Sequence, residues 1–268
     1  MFRLLVSLIL SAGAAVAQTA DDVVRVDVLP GWRQADGIHM AGLRMTLAPG
    51  WKTYWRYPGE AGIPPRFDWS GSRNLGAAST AWPTPQVFTA NGYRSIGYSE
   101  MVVLPLALRP SRAGENISLR GRIEIGVCQT VCIPVEVDVA AELDVDATTP
   151  DATIRAALSD VPQRADHAVD CALQPIADGM RLTATVRVPR LGGEETAVVE
   201  FSDPEVWVSE VETSRSGGAL VATAELVPPQ GAPFALDRSQ LRFTVLGEAG
   251  AVDIRGCSGD AAVAAAER

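Results

Sequence analysis

Short runs of alternating apolar and β-branched residues, each closed by Gly, Pro or Asn, recur along nearly the whole chain, and they limit it to strands. In the first half they fall at 22–29 (DVVRVDVL), 37–48 (GIHMAGLRMTLA), 101–108 (MVVLPLAL), 117–127 (ISLRGRIEIGV) and 133–143 (IPVEVDVAAEL). A period of two places one face of each run inward, and turn residues between the runs are the pattern of a β-sandwich. The texture breaks at "TTPDATIRAALSDVPQR", where Thr149 as N-cap, Pro150 at the first helical position and Pro162 as a stop predict a helix of two to three turns. Strand texture then resumes at 179–188, 196–201, 205–213, 219–226, 240–246 and 251–255. The expected fold is all-β: a sandwich domain over 19–146, a helical connector over 147–164, a second, smaller β domain over 165–257, and a tail over 258–268 that is small and polar enough to fray.

The first 17 residues carry one basic residue (Arg3), an apolar run from Leu4 to Leu10 and a small-residue end at Ala15-Val16-Ala17. That layout is a cleavable secretory signal. Its apolar core is far short of the roughly 20 residues a membrane-spanning helix needs, and charges or prolines interrupt every later apolar run. Export to the periplasm is therefore expected, with no membrane span after the signal is removed, in a compartment where disulfides persist. The net charge of −9 argues against a nucleic-acid surface. With only His39 and His167, far apart in sequence, zinc hydrolases and histidine-based triads are poorly served.

Four cysteines divide into two unlike pairs. Cys171 opens the second domain and Cys257 closes it, so a bond between them staples the first strand to the last. The chain-entropy account gives such a closure roughly 4–5 kcal/mol. Cys128 and Cys132 enclose a five-residue ring worth only about 2 kcal/mol. Stability is a weak reason for the second pair to exist. In "GVCQTVCIP" the flanks read as strands, and a three-residue connection places the cysteines opposite each other in a hairpin. Directly opposed Cβ atoms lie about 4.5–5.5 Å apart, whereas a disulfide prefers about 3.5–4.5 Å, so a labile, redox-active bond is expected there. Tetrahedral zinc needs four ligands, and no histidine lies nearby in sequence. Soft Cu(I) accepts two thiolates, so the residues leave open a Cu(I)-carrying or other binding module, a structural staple and a redox pair. No other cofactor is expected. The spacing is not the C-x-x-C of a helix N-terminus. With no helix end and no nearby lysine evident, the thiols are expected to be poor attackers and the disulfide to be the attacked partner.

Three blocks, "GWKTYWRYPGEAGIPPRFDW", "WPTPQVF…GYSEMVVLPLAL" and "GVCQTVCIP", occur in this order. Together, over about 22–145, they resemble the N-terminal periplasmic domain of the DsbD family, without that family's membrane and C-terminal thioredoxin domains. The resemblance implies an immunoglobulin-like sandwich whose cysteine pair relays electrons. Its partners would be thioredoxin-fold periplasmic proteins, a membrane electron-transfer protein of the DsbD/CcdA type, or both. It assigns the relay role to Cys128 and Cys132, and favours Cys132 as the attacked sulfur. It also places a shielding cap over 84–98, with Phe88 as the covering ring. Within the aromatic-rich stretch, Tyr54 is expected, with Phe88, to line or cover the pair. The hairpin loop is shorter here than in familiar members. Of the aromatic cluster from Trp51 to Trp82, most rings are expected in the core.

Overall fold

The computed structural model describes residues 20–59, 62–90, 92–166 and 168–259. The expected signal, His167 and the tail beyond 259 lie outside the described residues. After a helical turn, α1 (Ala20–Val23), come ten strands: β1 (Val24–Arg33), β2 (His39–Leu47), β3 (Lys52–Tyr54), β4 (Arg66–Asp68), β5 (Leu75–Thr80), β6 (Gln86–Ala90), β7 (Tyr93–Ser99), β8 (Met101–Pro110), β9 (Ile117–Cys128) and β10 (Cys132–Leu143). They form an immunoglobulin-like sandwich. One sheet has the order β1-β2-β8-β5, the other β10-β9-β3-β7-β6 with β4 added beside β9. Leu43, Leu104 and Leu106 from the first sheet meet Ile123, Ile125 and Val127 from the second in one buried core. Alternation does the sorting. On β9, Ile123, Ile125 and Val127 point inward, which leaves Glu124, Gly126 and Cys128 on the outer face.

The helix α2 (Ala152–Ser159) connects to a second sandwich. Its N-cap is Asp151 rather than Thr149, because the Asp151 carboxylate accepts the Ile154 amide proton at 2.9 Å, and Pro150 precedes the cap. Strands β11 (Gln163–Arg164), β12 (Val169–Ile176), β13 (Gly179–Val186), β14 (Thr196–Phe201), β15 (Trp207–Val208), β16 (Glu212–Ser216), β17 (Ala219–Val227), β18 (Leu241–Gly247) and β19 (Gly250–Arg255) follow. The sheets β11-β19-β18-β14 and β12-β13-β17-β15 close on a core around Leu182, Leu226 and Phe243. The run expected as one strand over 205–213 is split into β15 and β16. Between them the chain leaves the ladder, and Glu210 and the Val211 carbonyl bind Arg94 of β7. Ser258, expected in the frayed tail, is instead fixed by a 2.8 Å bond from its amide to the Val169 carbonyl.

The β1–β2 ladder slips between Leu29 and Trp32. Gly31 sits there at φ 67°, and a Cβ on it would lie 1.7 Å from the Met40 carbonyl oxygen, so only glycine fits this bulge. His39, fully buried, donates its Nε2 proton to the freed Pro30 carbonyl at 2.6 Å, while its Nδ1 has no partner. Burial holds its pKa below the usual histidine value, and the Arg33 charge adds to this against opposing effects from Pro30 and Asp144. The unfolded chain therefore binds this proton more readily than the folded one. The stabilisation is present above about pH 6.5 and is lost as the pH falls below it, with a slope of at most about 1.4 kcal/mol per unit. Urea unfolding between pH 5 and 7 is expected to show this loss, and His39→Gln to flatten it. Equal slopes in the two proteins would contradict the assignment.

Candidate functional site

The cysteine pair sits on the outer face of the larger sheet, at the mouth of the β9–β10 hairpin. Cys128 and Cys132 are direct cross-strand partners with Cα atoms 4.1 Å apart, and they form a disulfide. That is the close spacing of a non-hydrogen-bonded antiparallel pair, so the ladder itself brings the sulfurs together. The second disulfide, Cys171–Cys257, joins β12 to the segment after β19.

Burial separates the two sulfurs of the first pair. Cys128 is 2% exposed, whereas Cys132 is open to solvent, as is Val131 in the turn. The cover over Cys128 comes from β3 and the chain that follows it. Thr53 points inward and ties β3 to β9 through its hydroxyl, which donates to the Gly126 carbonyl at 2.9 Å. Tyr54 then points outward and lies across Gly126. A Cβ at that position would come within 2.6 Å of Ile63 and 3.1 Å of the Tyr54 ring, so glycine makes the space for both. The Tyr54 hydroxyl reaches Cys128 Sγ at 2.6 Å and Cys132 Sγ at 3.2 Å. A disulfide has no proton to give, so the phenol donates. Burial raises the Tyr54 pKa and keeps the phenol protonated.

The segment expected as a cap is a hairpin, β6–β7, built into the sheet rather than a loop above it. Ladder bonds to β3 hold it on one side. At its base, the Thr84 amide and hydroxyl both donate to the Asp160 carbonyl at the end of α2, at 2.8 and 2.6 Å. Phe88 is half-buried on the outer face opposite Ser95. With β7 and β3 between it and β9, its contact toward the site is with Lys52, whose ammonium lies 4.8 Å from the ring centroid. Lys52 is in register with Cys128. The expectation of no nearby lysine is therefore corrected, because a residue 76 positions earlier becomes the next neighbour once β3 pairs with β9. One sequence signal was available: Lys52 is the single lysine among 23 basic residues.

Along the β9–β10 ladder runs an open groove of about 590 Å³, lined by Ile63, Pro64, Arg66, Glu124, Pro134 and Glu136. Among the described residues no group of three or more His, Cys, Asp or Glu side chains is placed to hold a metal ion. No helix there is long and apolar enough to cross a membrane. Of the early aromatics, Trp51, Tyr54 and Trp55 are buried, whereas Tyr57, Trp69 and Trp82 are partly so.

An immunoglobulin-like sandwich with a hairpin disulfide on its outer face, one sulfur covered and one open, defines a thiol–disulfide interchange domain. Residues 19–144 match the family described as "Thiol:disulfide interchange protein DsbD, N-terminal". Among solved structures, the crystal structure of the N-terminal periplasmic domain of ScsB from Proteus mirabilis is similar over 91% of this chain and 97% of its own, with a TM-score of 0.68. At 22% identity that likeness is one of fold, and its coverage takes in both sandwiches. No match was found among curated proteins.

Proposed function

We propose that the chain is a periplasmic electron-relay module, exported by its N-terminal signal, whose Cys128–Cys132 disulfide is opened and closed by partner thiols. The partners are thioredoxin-fold proteins, or a membrane electron carrier of the DsbD/CcdA type. The observation that carries this reading is the unequal exposure of two bonded sulfurs under one phenol. A partner thiolate reaches Cys132 Sγ. A new S–S bond forms to Cys132 as the Cys128–Cys132 bond breaks, and the electron pair leaves on Cys128. Tyr54 donates its hydrogen bond to that emerging thiolate. The partner's second thiolate then attacks its own sulfur in the mixed disulfide. The partner departs oxidised, and both cysteines are left reduced by two electrons. Phe88 limits access from the β6 side through its contact with Lys52. Cys171–Cys257 is the structural staple, and the two sandwiches are the domain units on either side of α2.

Graded reduction tests this. A mild dithiol, followed by mass-mapped alkylation, is expected to label Cys128 and Cys132 well before Cys171 and Cys257, with a potential for the first pair above about −300 mV. A value below that, or labelling of the second pair first, contradicts the relay and leaves a structural hairpin bond.

A further inference from the structure

The fold sets its one lysine beside the sulfur that must carry negative charge. Lys52 and Cys128 are directly opposed in the β3–β9 ladder, on the same outer face as Tyr54. Opposed side chains have Cβ atoms about 4.5–5.5 Å apart, within reach of a flexible four-carbon stem carrying a compact charge. The Lys52 ammonium rests against the Phe88 ring. Cys128 is 2% exposed, so a thiolate there is poorly hydrated, and burial alone opposes its formation. The other charged groups near the pair on this face are Glu124 and Glu136, with Arg66 and Arg122 beside them. Each glutamate lies four residues along its strand from the nearer cysteine, roughly 13 Å at strand spacing.

We propose that Lys52 is the counter-ion of the Cys128 thiolate, an inference that rests on the relay reading and names the group that makes it electrostatically feasible. In the oxidised protein the ammonium stays on the Phe88 ring. When a partner thiolate bonds to Cys132 and the electron pair leaves on Cys128, the ammonium moves to that sulfur, and no proton transfer is required. The same movement takes the cation from Phe88 and loosens the hold on β6. Arginine serves every other basic position of the chain, but a planar guanidinium is less suited to moving between a ring face and a single sulfur.

The Cys132→Ser variant isolates Cys128, whose thiolate can be titrated by ultraviolet absorbance and by the pH dependence of its alkylation. An opposite charge within about 4–6 Å shifts a titration by one to three units. Lys52→Met in that background is expected to raise the midpoint by about one unit, a tenfold loss of thiolate at neutral pH. Lys52→Arg is expected to retain most of the effect. Lys52→Gln serves as a second neutral variant should methionine disturb β3, with far-ultraviolet circular dichroism checking the fold. An unmoved midpoint in the neutral variants overturns the proposal, as does an equal shift in Lys52→Arg, which would assign the effect to packing. The titration uses no partner. Failure of a partner to exchange therefore bears on the relay reading, and an unmoved midpoint bears on Lys52 alone.

Discussion

Replacing Cys128 by serine is expected to turn the chain into a trap for its partner. In that variant the exposed Cys132 keeps a free thiol, and no second sulfur remains to resolve a mixed disulfide. A thioredoxin-fold partner lacking its own resolving cysteine, with the remaining one carried as a mixed disulfide to an aryl thiol, supplies the electrophile. The Cys132 thiolate bonds to the partner sulfur, the aryl thiolate leaves, and the complex accumulates. Cys132→Ser leaves only the covered Cys128 and is expected to trap at least about tenfold more slowly, since exchange rates depend on access as well as on thiolate fraction. Non-reducing gel shifts over time measure both. Faster trapping through Cys128 would reverse the roles of the two sulfurs. Failure of both variants with every such partner would remove the support for a relay.

Arg56→Ala is expected to destabilise the fold strongly, by breaking a largely buried ion pair between the two sandwiches. The Arg56 guanidinium lies 3.6 Å from the Trp55 ring centroid and makes two 2.9 Å bonds to the Glu200 carboxylate of the second sandwich, plus one of 3.1 Å to Thr244. The two side chains are only 11% and 17% exposed. Removing one partner of such a pair leaves an uncompensated charge and costs about 3–5 kcal/mol. The lower end is expected here, because Arg242 remains 4.0 Å from Glu200. Urea unfolding checks the single variant, and Arg56→Met with Glu200→Gln is expected to recover more than half of the loss. A single-variant effect within about 0.5 kcal/mol would place the pair among inert surface contacts. Tyr57 and Arg94 make parallel contacts to Val208, Val211 and Glu210. The second sandwich thus grips both the chain that leaves Tyr54 and the β6–β7 hairpin.

The long strands were legible because period-two alternation over eight or more residues is a local property. β8, β9 and β10 fall at the expected runs, and so does the helix between the sandwiches, although its cap moved by two residues. The stretch 49–100 gave no strand signal. β3 and β4 have three residues each, too few to alternate, and β5 and β7 are rich in Gly, Ala and Ser. Yet those strands carry Tyr54, Lys52 and the β6–β7 hairpin to the cysteines. Proximity within "GVCQTVC" is fixed locally, because three residues between two strands close a tight turn, and so the opposed sulfurs were readable from the sequence. Which sulfur is covered was not, because Cys128 is buried beneath Tyr54, a residue far away in sequence, and Cys132 is left open. The lysine opposite Cys128, the phenol between the sulfurs and the ion pair that joins the sandwiches are all long-range pairings. They exist only after sheet order is set, and sheet order is decided by how two apolar faces pack together rather than by any local pattern of residues.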